Sequence, residues 1–184
     1  MSESLYFFAL LPDEPFSSRI LQVQEELKAK FGLQYAMRLM PHISIQSPFE
    51  CKVANDKEME KIIREISNVL QPLNLEAKGP GFFTQPVIYI TIADNPVLMD
   101  MQNKISEVLV CSRCMNAAQR NNAYIPHLSL AHRDLEPKRF EEVWNFLSTK
   151  DLHGEFSISR LQIFKYTDGS WVNFHSISMQ SKLA

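Results

Sequence analysis

The sequence predicts an α+β protein in which the sheets are largely antiparallel. Predicted helices and strands are mixed along the chain but do not simply alternate, which disfavours a parallel sheet built from strand–helix–strand units. Neighbouring strands are joined by short turns, and the Asp168-Gly169 pair is a strong hairpin signal. The second half of the chain repeats the order of elements of the first half. A length of 184 residues fits one domain, or two small lobes that share a core.

The first half is predicted to contain four strands and two helices. The first strand is an apolar run that ends at Pro12, and Pro15 stands where a helix tolerates proline, in its first turn. Gly32 is a common helix stop, and Pro72 ends the second helical stripe. The segment GPGFFTQP is expected to connect the last two strands as a hairpin. The predicted elements are strand 4–11, helix 13–32, strand 42–49, helix 55–71, and strands at about 73–78 and 86–93.

The second half is predicted to contain two helices and three strands. Pro137 is placed to open the second of these helices, in which Phe140, Val143, Trp144 and Leu147 recur at helical spacing. The predicted elements are a helix around 96–112, a strand over the segment IPHLSLAHR, a helix from 137, and strands at about 154–166 and 171–180.

Composition excludes several functional classes. The chain has 19 basic and 21 acidic residues and a net charge of −2, which argues against a polybasic nucleic-acid binder but leaves room for a small basic groove. With only 5 glycines, and neither GxGxxG nor GxxxxGK[ST] in the sequence, a glycine-rich phosphate loop is excluded.

The cysteines and the N-terminal sequence indicate a reduced, cytoplasmic protein. Three cysteines cannot form a full disulfide framework, and the lone CxxC of Cys111 and Cys114 is weak support for zinc or redox chemistry. Cys51 is interpreted as a packing residue. The apolar run at residues 5–11 is too short to span a membrane and lacks the basic flank of a signal peptide. We therefore expect a cytoplasmic protein without membrane association.

The most informative feature is a pentapeptide that occurs twice, as PHISI at 41–45 and PHLSL at 126–130. Side chains two residues apart on a strand point to the same face. His42 should therefore lie beside Ser44, and His127 beside Ser129, while the aliphatic residues between them point into a core. The repetition makes an accidental match hard to credit.

Two histidine–serine pairs facing a common groove suit the hydrolysis of a phosphodiester. One imidazole can remove a proton from the attacking group while the other, protonated, donates to the leaving oxygen. The serine hydroxyls can donate hydrogen bonds to the non-bridging phosphate oxygens. This chemistry needs no metal, and we expect neither a metal nor another cofactor.

The paired motifs resemble the His-x-Thr/Ser-x motifs of the 2H phosphoesterase superfamily, which includes the 2′-5′ RNA ligase-like proteins and cyclic phosphodiesterases. The resemblance covers most of the chain, and the 85-residue spacing of the histidines agrees with it. It implies a bilobal α+β fold with two-fold pseudosymmetry and a central cleft, formed by the single domain 1–184, with lobe crossings near 94–96 and in the C-terminal strands. By position, His42 and His127 are the implied catalytic residues, and Ser44 and Ser129 the implied phosphate ligands.

The sequence departs from the family pattern in two ways. Serine replaces the commoner threonine in both motifs. Several bacterial members carry an arginine five positions after the histidine, where this chain has His132 followed by Arg133. On a regular strand His132 would face away from His127, unless a bulge or the strand end redirects it.

Other candidate substrate contacts are two cations and several aromatic rings. Arg38 and Arg133 could reach a phosphate, and aromatic rings can stack on a nucleobase. The candidate contacts outside the two motifs are His132, Arg38, Arg133, Tyr124, Phe82 and Phe83.

We expect a phosphodiesterase that opens 2′,3′-cyclic phosphates of nucleosides or RNA ends. One alternative is a 2′-5′ oligonucleotide phosphodiesterase or ligase, or an ADP-ribose cyclic phosphate hydrolase. Another is an RNA- or nucleotide-binding protein that turns nothing over, although a binder does not need a matched acid–base pair. The expected partner is a nucleotide or RNA end, bound by a monomer without an obligate protein partner.

Overall fold

The computed structural model describes residues 4–51, 56–84, 86–120 and 123–179. These ranges contain seven strands and four α-helices, with short 3₁₀ segments at Tyr35–Arg38, Ala117–Gln119 and Pro137–Arg139. None of the helices in these ranges has both the length and the apolar composition that a membrane crossing requires. In chain order the elements are β1 (Ser4–Pro12), α1 (Phe16–Phe31), β2 (Ile43–Cys51), α2 (Asp56–Ser67), β3 (Leu73–Phe83), β4 (Val87–Ile92), α3 (Pro96–Cys111), β5 (His127–Ala131), α4 (Phe140–Ser148), β6 (His153–Thr167) and β7 (Ser170–Ser178).

The strands form one sheet in which all neighbours pair antiparallel, so the predicted α+β class is confirmed. The strand order is β1-β2-β5-β4-β3-β6-β7, and β1 also pairs with β6. The long strand β6 pairs with β3 through residues 153–158 and with β1 and β7 through residues 158–167. It therefore belongs to both halves of the sheet. The halves meet a second time where β2 pairs with β5.

The two faces of the sheet have different surroundings. Buried residues of all four helices form a single core with one face of the sheet, which includes Phe8 and Leu10 of β1. The alternate residues of β1 point the other way, and Phe7 and Ala9 are buried there in a small separate cluster with Phe164. We call this opposite surface the site face. It is the face toward which strand alternation directs the histidines and serines of the repeated motifs.

The hairpin between β3 and β4 differs from the prediction. The segment GPGFFTQP was expected to be a connection, but β3 continues to Phe83 and pairs with β4. The register shifts between Ala77 and Pro80, and Gly79 adopts φ 84° there. A bulge accommodates both the proline and the left-handed glycine within a strand, which is why these residues do not end it.

The cysteines also differ from the prediction, which was a reduced protein with Cys51 as a packing residue. Cys51 at the end of β2 and Cys114 after α3 are joined in a disulfide, with their Cα atoms 4.6 Å apart, and Cys111 is exposed and free. The two bonded residues are 63 positions apart in the sequence. They meet because α2 and α3 pack together behind β2. The spacing of the CxxC motif drew attention to a different pair, Cys111 and Cys114. Residue 55, where the second helix was predicted to begin, lies outside the described residues.

Candidate active site

The two repeated motifs lie side by side at the centre of the sheet. Ile43 of β2 is the antiparallel partner of Leu128 of β5, and both side chains are buried in the core. Each of these residues is the middle of a His-x-Ser triplet. Continuing the antiparallel register by one residue in each direction brings each histidine opposite the serine of the other motif. The two triplets are thus related by a local two-fold axis, and their four polar side chains belong to the site face.

Each motif histidine is held by the same backbone contact. The Nδ1 atom of His42 lies 2.8 Å from the carbonyl oxygen of Met40, and the Nδ1 atom of His127 lies 2.8 Å from that of Ile125. A carbonyl can only accept, so Nδ1 must be the donor in both rings. In the neutral imidazole this leaves Nε2 without a proton and able to accept one. In the sequence, the proline of each motif stands between the residue that supplies the carbonyl and the histidine.

His42 is half-buried against an aromatic wall. Its ring centroid lies 5.1 Å from that of Phe7 on β1, and Phe7 in turn stacks on Phe164 and contacts Trp171. Burial lowers the pKa of His42 because the imidazolium loses hydration. The hydrogen bond to Met40 partly opposes this effect, and the positive charges of the neighbouring histidines add to it. At neutral pH His42 is therefore held in the neutral form that a general base requires.

His127 has an aromatic setting of its own. Its ring meets Phe83 edge-on at 5.1 Å and lies 5.1 Å from Tyr89. Tyr89 is the β4 partner of Ser129, and it packs against Phe83 at 4.4 Å. Each half of the site face thus supplies its own rings to hold one histidine.

The serine hydroxyls have no hydrogen-bond partner among the described residues. Ser44 and Ser129 are each half-buried on the site face. Ala9 is the β1 partner of Ser44 and carries only a methyl group, so it does not compete for that hydroxyl. Both hydroxyls are therefore available to donate to an anion lying between the two strands.

A β-bulge follows each motif. The register of β2 shifts between Ser44 and Gln46, and that of β5 shifts between Ser129 and Ala131. A bulge places two consecutive residues opposite one and resets the alternation of faces. The two residues after each serine are consequently all buried. His132, which regular alternation would turn away from His127, returns to the site face.

The charge of His132 interacts with the charges of both motif histidines. Burial lowers its pKa, the carboxylate of Asp134 opposes that effect, and the positive charges of Arg133 and His127 lower it further. The charge of His132 also contributes to the lowered pKa of His42. Three imidazoles therefore share one region of the site face.

The remaining candidate contacts separate into two groups. Arg38 and Arg133 lie close to this region, because both guanidinium groups pack on the ring of Tyr35, which itself meets His132 edge-on at 4.8 Å. Phe82 points the other way, where it contacts Phe140 and Trp144 of the α4 region at 5.4 and 5.2 Å. Tyr124 packs against the main core, where burial raises the pKa of its hydroxyl.

Sequence reasoning missed three aromatic residues that contact histidines of the site. Phe7 lies against His42, Tyr89 lies against His127, and Tyr35 lies against His132. For Tyr89 a signal was present, since it alternates with the buried isoleucines of β4. Neighbours on other strands depend on the pairing order, which the local pattern does not contain.

The family of the chain follows from sequence comparison. The family model described as the 2′-5′ RNA ligase superfamily matches residues 12–170. The chain belongs to this superfamily. Curated relatives agree: a Geobacillus kaustophilus protein named "putative phosphoesterase" is 25% identical over 167 residues, covering 89% of this chain and 92% of its own. A Geobacillus thermodenitrificans protein of the same name is 25% identical over 171 residues, covering 91% and 94%.

Solved structures share the fold at low sequence identity. Escherichia coli LigT in complex with 3′-AMP has a TM-score of 0.66 and 14% identity, covering 98% of this chain and 100% of that one. TT0787 of Thermus thermophilus has a TM-score of 0.67 and 10% identity, covering 95% and 97%. The family match confirms the resemblance to 2H phosphoesterases, and the solved structures confirm the α+β fold that it implied. The chain is a phosphoesterase of this superfamily.

Proposed function

We propose that this protein hydrolyses 2′,3′-cyclic phosphates of nucleosides or RNA ends without a metal. The observation that carries the proposal is the local two-fold symmetry of the motifs. It presents two Nε2 atoms and two hydroxyls, neither of which bonds to a described residue, to one space, and each histidine is fixed by the same Nδ1 contact. Such an arrangement suits in-line displacement at phosphorus, in which a base acts on one side and an acid on the other.

In the proposed reaction, water attacks the phosphorus of the cyclic ester while one histidine takes a proton from that water. The other histidine, protonated at Nε2, donates that proton to the ribose oxygen whose bond to phosphorus breaks. The lowered pKa of His42 favours it as the base in this direction. Ser44 and Ser129 donate hydrogen bonds to the non-bridging oxygens, where negative charge builds up. Running backwards, the same steps exchange the two roles.

Two observations support a nucleotide as the substrate: an aromatic ring on the site face, and the ligand of a solved structure with the same fold. Phe83, which contacts His127, is half-buried and can pack against a ribose or a base. The LigT complex holds a nucleoside monophosphate, 3′-AMP, in a protein of the same fold. We propose that this chain also takes a nucleotide end.

The test is an assay of the purified protein with 2′,3′-cyclic nucleotides and with a short RNA ending in a 2′,3′-cyclic phosphate, with EDTA present. We expect turnover that survives EDTA, with a phosphomonoester as product, and the position of that monoester identifies the oxygen that leaves. A 2′-5′-linked dinucleotide and ADP-ribose cyclic phosphate are run in parallel. Turnover of one of these alone would replace the proposed substrate. Nucleotide binding without any turnover would contradict the proposed reaction and indicate a binding protein.

A further inference from the structure

The 3₁₀ turn at Tyr35–Arg38 and the end of β5 meet at one end of the central strand pair. β2 and β5 run antiparallel, so the residues that precede β2 lie near those that follow β5. The carboxylate of Asp134 fastens this junction, because its Oδ2 atom accepts hydrogen bonds from the backbone N–H groups of Gln34 and Tyr35 at 2.8 and 2.7 Å. The junction therefore borders the site face on the side of His132.

Two arginines are arranged around one ring at this junction. The Cζ atom of Arg38 lies 4.4 Å from the ring centroid of Tyr35, and that of Arg133 lies 5.2 Å from it. A guanidinium that packs on a ring through its flat face keeps its N–H edge free. That edge is the part that binds a phosphate through two parallel hydrogen bonds. Tyr35 thus positions both guanidinium groups and leaves their N–H groups free to bind an anion.

Positively charged side chains outnumber acidic ones around Tyr35. A groove of about 580 Å³ next to the ring is lined by Lys28 and Arg38 together with Asp134. Neither these two cations nor Arg133 forms an ion pair with any described residue. The single acid has one oxygen engaged by two backbone amides. We call Tyr35, Arg38, Arg133 and Lys28 the Tyr35 patch.

The patch is adjacent to the reacting centre but separate from it. Tyr35 contacts His132, whose charge acts on His42 and which is itself affected by His127. If a phosphate is held between the motif histidines and serines, a second, cationic site lies nearby, on the other side of His132. A mononucleotide cyclic phosphate carries only one phosphate and would leave that site empty. An RNA chain carries its next phosphate one nucleotide away.

We propose that the Tyr35 patch binds the phosphodiester next to the reacting phosphate, so that the substrate is the end of an RNA chain of at least two nucleotides. This inference rests on the proposed function, because it takes the motif histidines as the reacting centre. It adds which substrate of that class the site selects. Arg38 and Arg133 are the specificity-determining residues, and Tyr35 is a positioning residue.

The first test compares substrates that differ only in length. The kcat/KM values are measured for a nucleoside 2′,3′-cyclic phosphate and for di- and tetranucleotides with the same end. We expect the dinucleotide to exceed the mononucleotide by about tenfold or more, and this ratio to fall by about tenfold in Arg38→Gln and in Arg133→Gln, as the loss of charge-assisted hydrogen bonds predicts. Arg64→Gln, which removes an exposed arginine from α2, is the matched control and should keep the wild-type ratio.

Tyr35 and salt provide readouts that a merely structural change would not produce. Tyr35→Leu keeps an apolar side chain but removes the ring, and it should lower the length ratio with a change mainly in KM. The dependence of KM on salt for the dinucleotide should weaken by roughly 0.7 in logarithmic slope when the phosphate contact is lost in the double arginine variant. A mononucleotide and dinucleotide with equal kcat/KM, or a length ratio that survives the double variant, would overturn the inference.

Binding separates this inference from the proposed function. The affinities of His42→Ala for RNAs of one to four nucleotides ending in a 3′-phosphate are measured by competition against a fluorescent RNA. If no cyclic phosphate is hydrolysed, the proposed reaction fails, but tighter binding of the dinucleotide that disappears in the double arginine variant still supports the patch. Affinity independent of length, equal displacement by pyrophosphate, or no binding of RNA would each overturn it.

Discussion

At the scale of single residues, His42 and His127 are each oriented by one contact of the Nδ1 atom. Each is bound to the carbonyl of the residue before its proline, at the same distance of 2.8 Å. The sequence did not predict this contact, although the proline was part of the repeat. The alternation of a strand was enough to place each histidine beside its serine. The carbonyl contact depends on the turn that precedes the strand, which a periodic pattern does not describe.

The lowered pKa of His42 predicts the acid side of the pH–rate profile. A histidine acts as a base only when neutral, so the rate falls as the pH decreases through its pKa. Because burial moves that pKa below the ordinary value of 6.5, the acid limb of kcat/KM for a cyclic phosphate should have its midpoint below pH 6.5. The measurement is kcat/KM from about pH 4.5 to 9 at constant ionic strength, a range that brackets the titration of an imidazole. A midpoint above 6.5 would show that His42 is not the base.

Removal of either serine hydroxyl should weaken the binding of the transition state. A hydrogen bond to a charged group contributes about 1.5–3 kcal/mol, so Ser44→Ala and Ser129→Ala should each lower kcat/KM roughly 10- to 100-fold. The melting temperature should change little, because neither hydroxyl bonds to another described residue. Ser44→Thr and Ser129→Thr keep the hydroxyl and serve as matched controls that retain most of the activity. Alanine variants as active as the wild type would remove the serines from the site.

At the scale of elements, the two β-bulges explain what the sequence pattern could not. The aliphatic residues of both motifs were correctly expected in the core, since strand alternation is local. Strand alternation could not predict which face of the sheet His132 lies on. That face depends on the bulge in β5, which exists only because of the way β5 pairs with β4. Similarly, Phe82 and Tyr124 are aromatic residues near turns, yet they face α4 and the core.

A methyl group added at Gly81 tests how closely β3 and β4 pack near His127. A Cβ atom added at Gly81 would lie 2.5 Å from Thr91 Oγ1 and 2.8 Å from the Tyr89 ring, which is too close for either. Overpacking of this kind costs about 1–3 kcal/mol. Gly81→Ala should lower the free energy of unfolding by that amount in a urea titration. It should also reduce kcat, because a shift of the Tyr89 ring changes its contact with His127.

A second variant tests whether the lost stability comes from crowding against Tyr89. Tyr89→Leu removes the ring, and the double variant Gly81→Ala/Tyr89→Leu should be less destabilised than the sum of the single changes. Full additivity of the two changes would show that Gly81 and Tyr89 do not compete for the same volume. The account of how β3 and β4 hold His127 would then be wrong.

At the scale of the whole molecule, one sheet brings residues from distant parts of the chain to one site. The order of elements in two repeated halves was enough to predict the α+β class, because each half is built from local patterns. The way β6 pairs with strands of both halves could not be predicted, since pairing across the sheet is not a local property. We propose that residues 1–184 act as a single bilobal unit, with crossings near 94–96 and through β6.

The buried polar contact between β2 and α3 is a further feature of the whole fold. Ser106 donates to Gln46 Oε1 at 3.2 Å and accepts from Gln102 at 3.1 Å, and all three side chains are buried. Ser106→Ala should lower the free energy of unfolding by about 1–3 kcal/mol, because two buried amides lose a partner. Chemical denaturation measures it, with exposed Ser148→Ala as the control. An unchanged stability would mean that water replaces the hydroxyl.

The most direct test of the central claim is the activity of His42→Ala, His127→Ala and the double variant with EDTA present. A base and an acid that act in one turnover predict that each single change lowers kcat/KM for a 2′,3′-cyclic phosphate by about 10²–10⁴-fold. They also predict that the double variant is hardly slower than either single variant, because residues that act as a unit are not additive. Retention of near wild-type activity by either single variant would contradict the two-histidine mechanism.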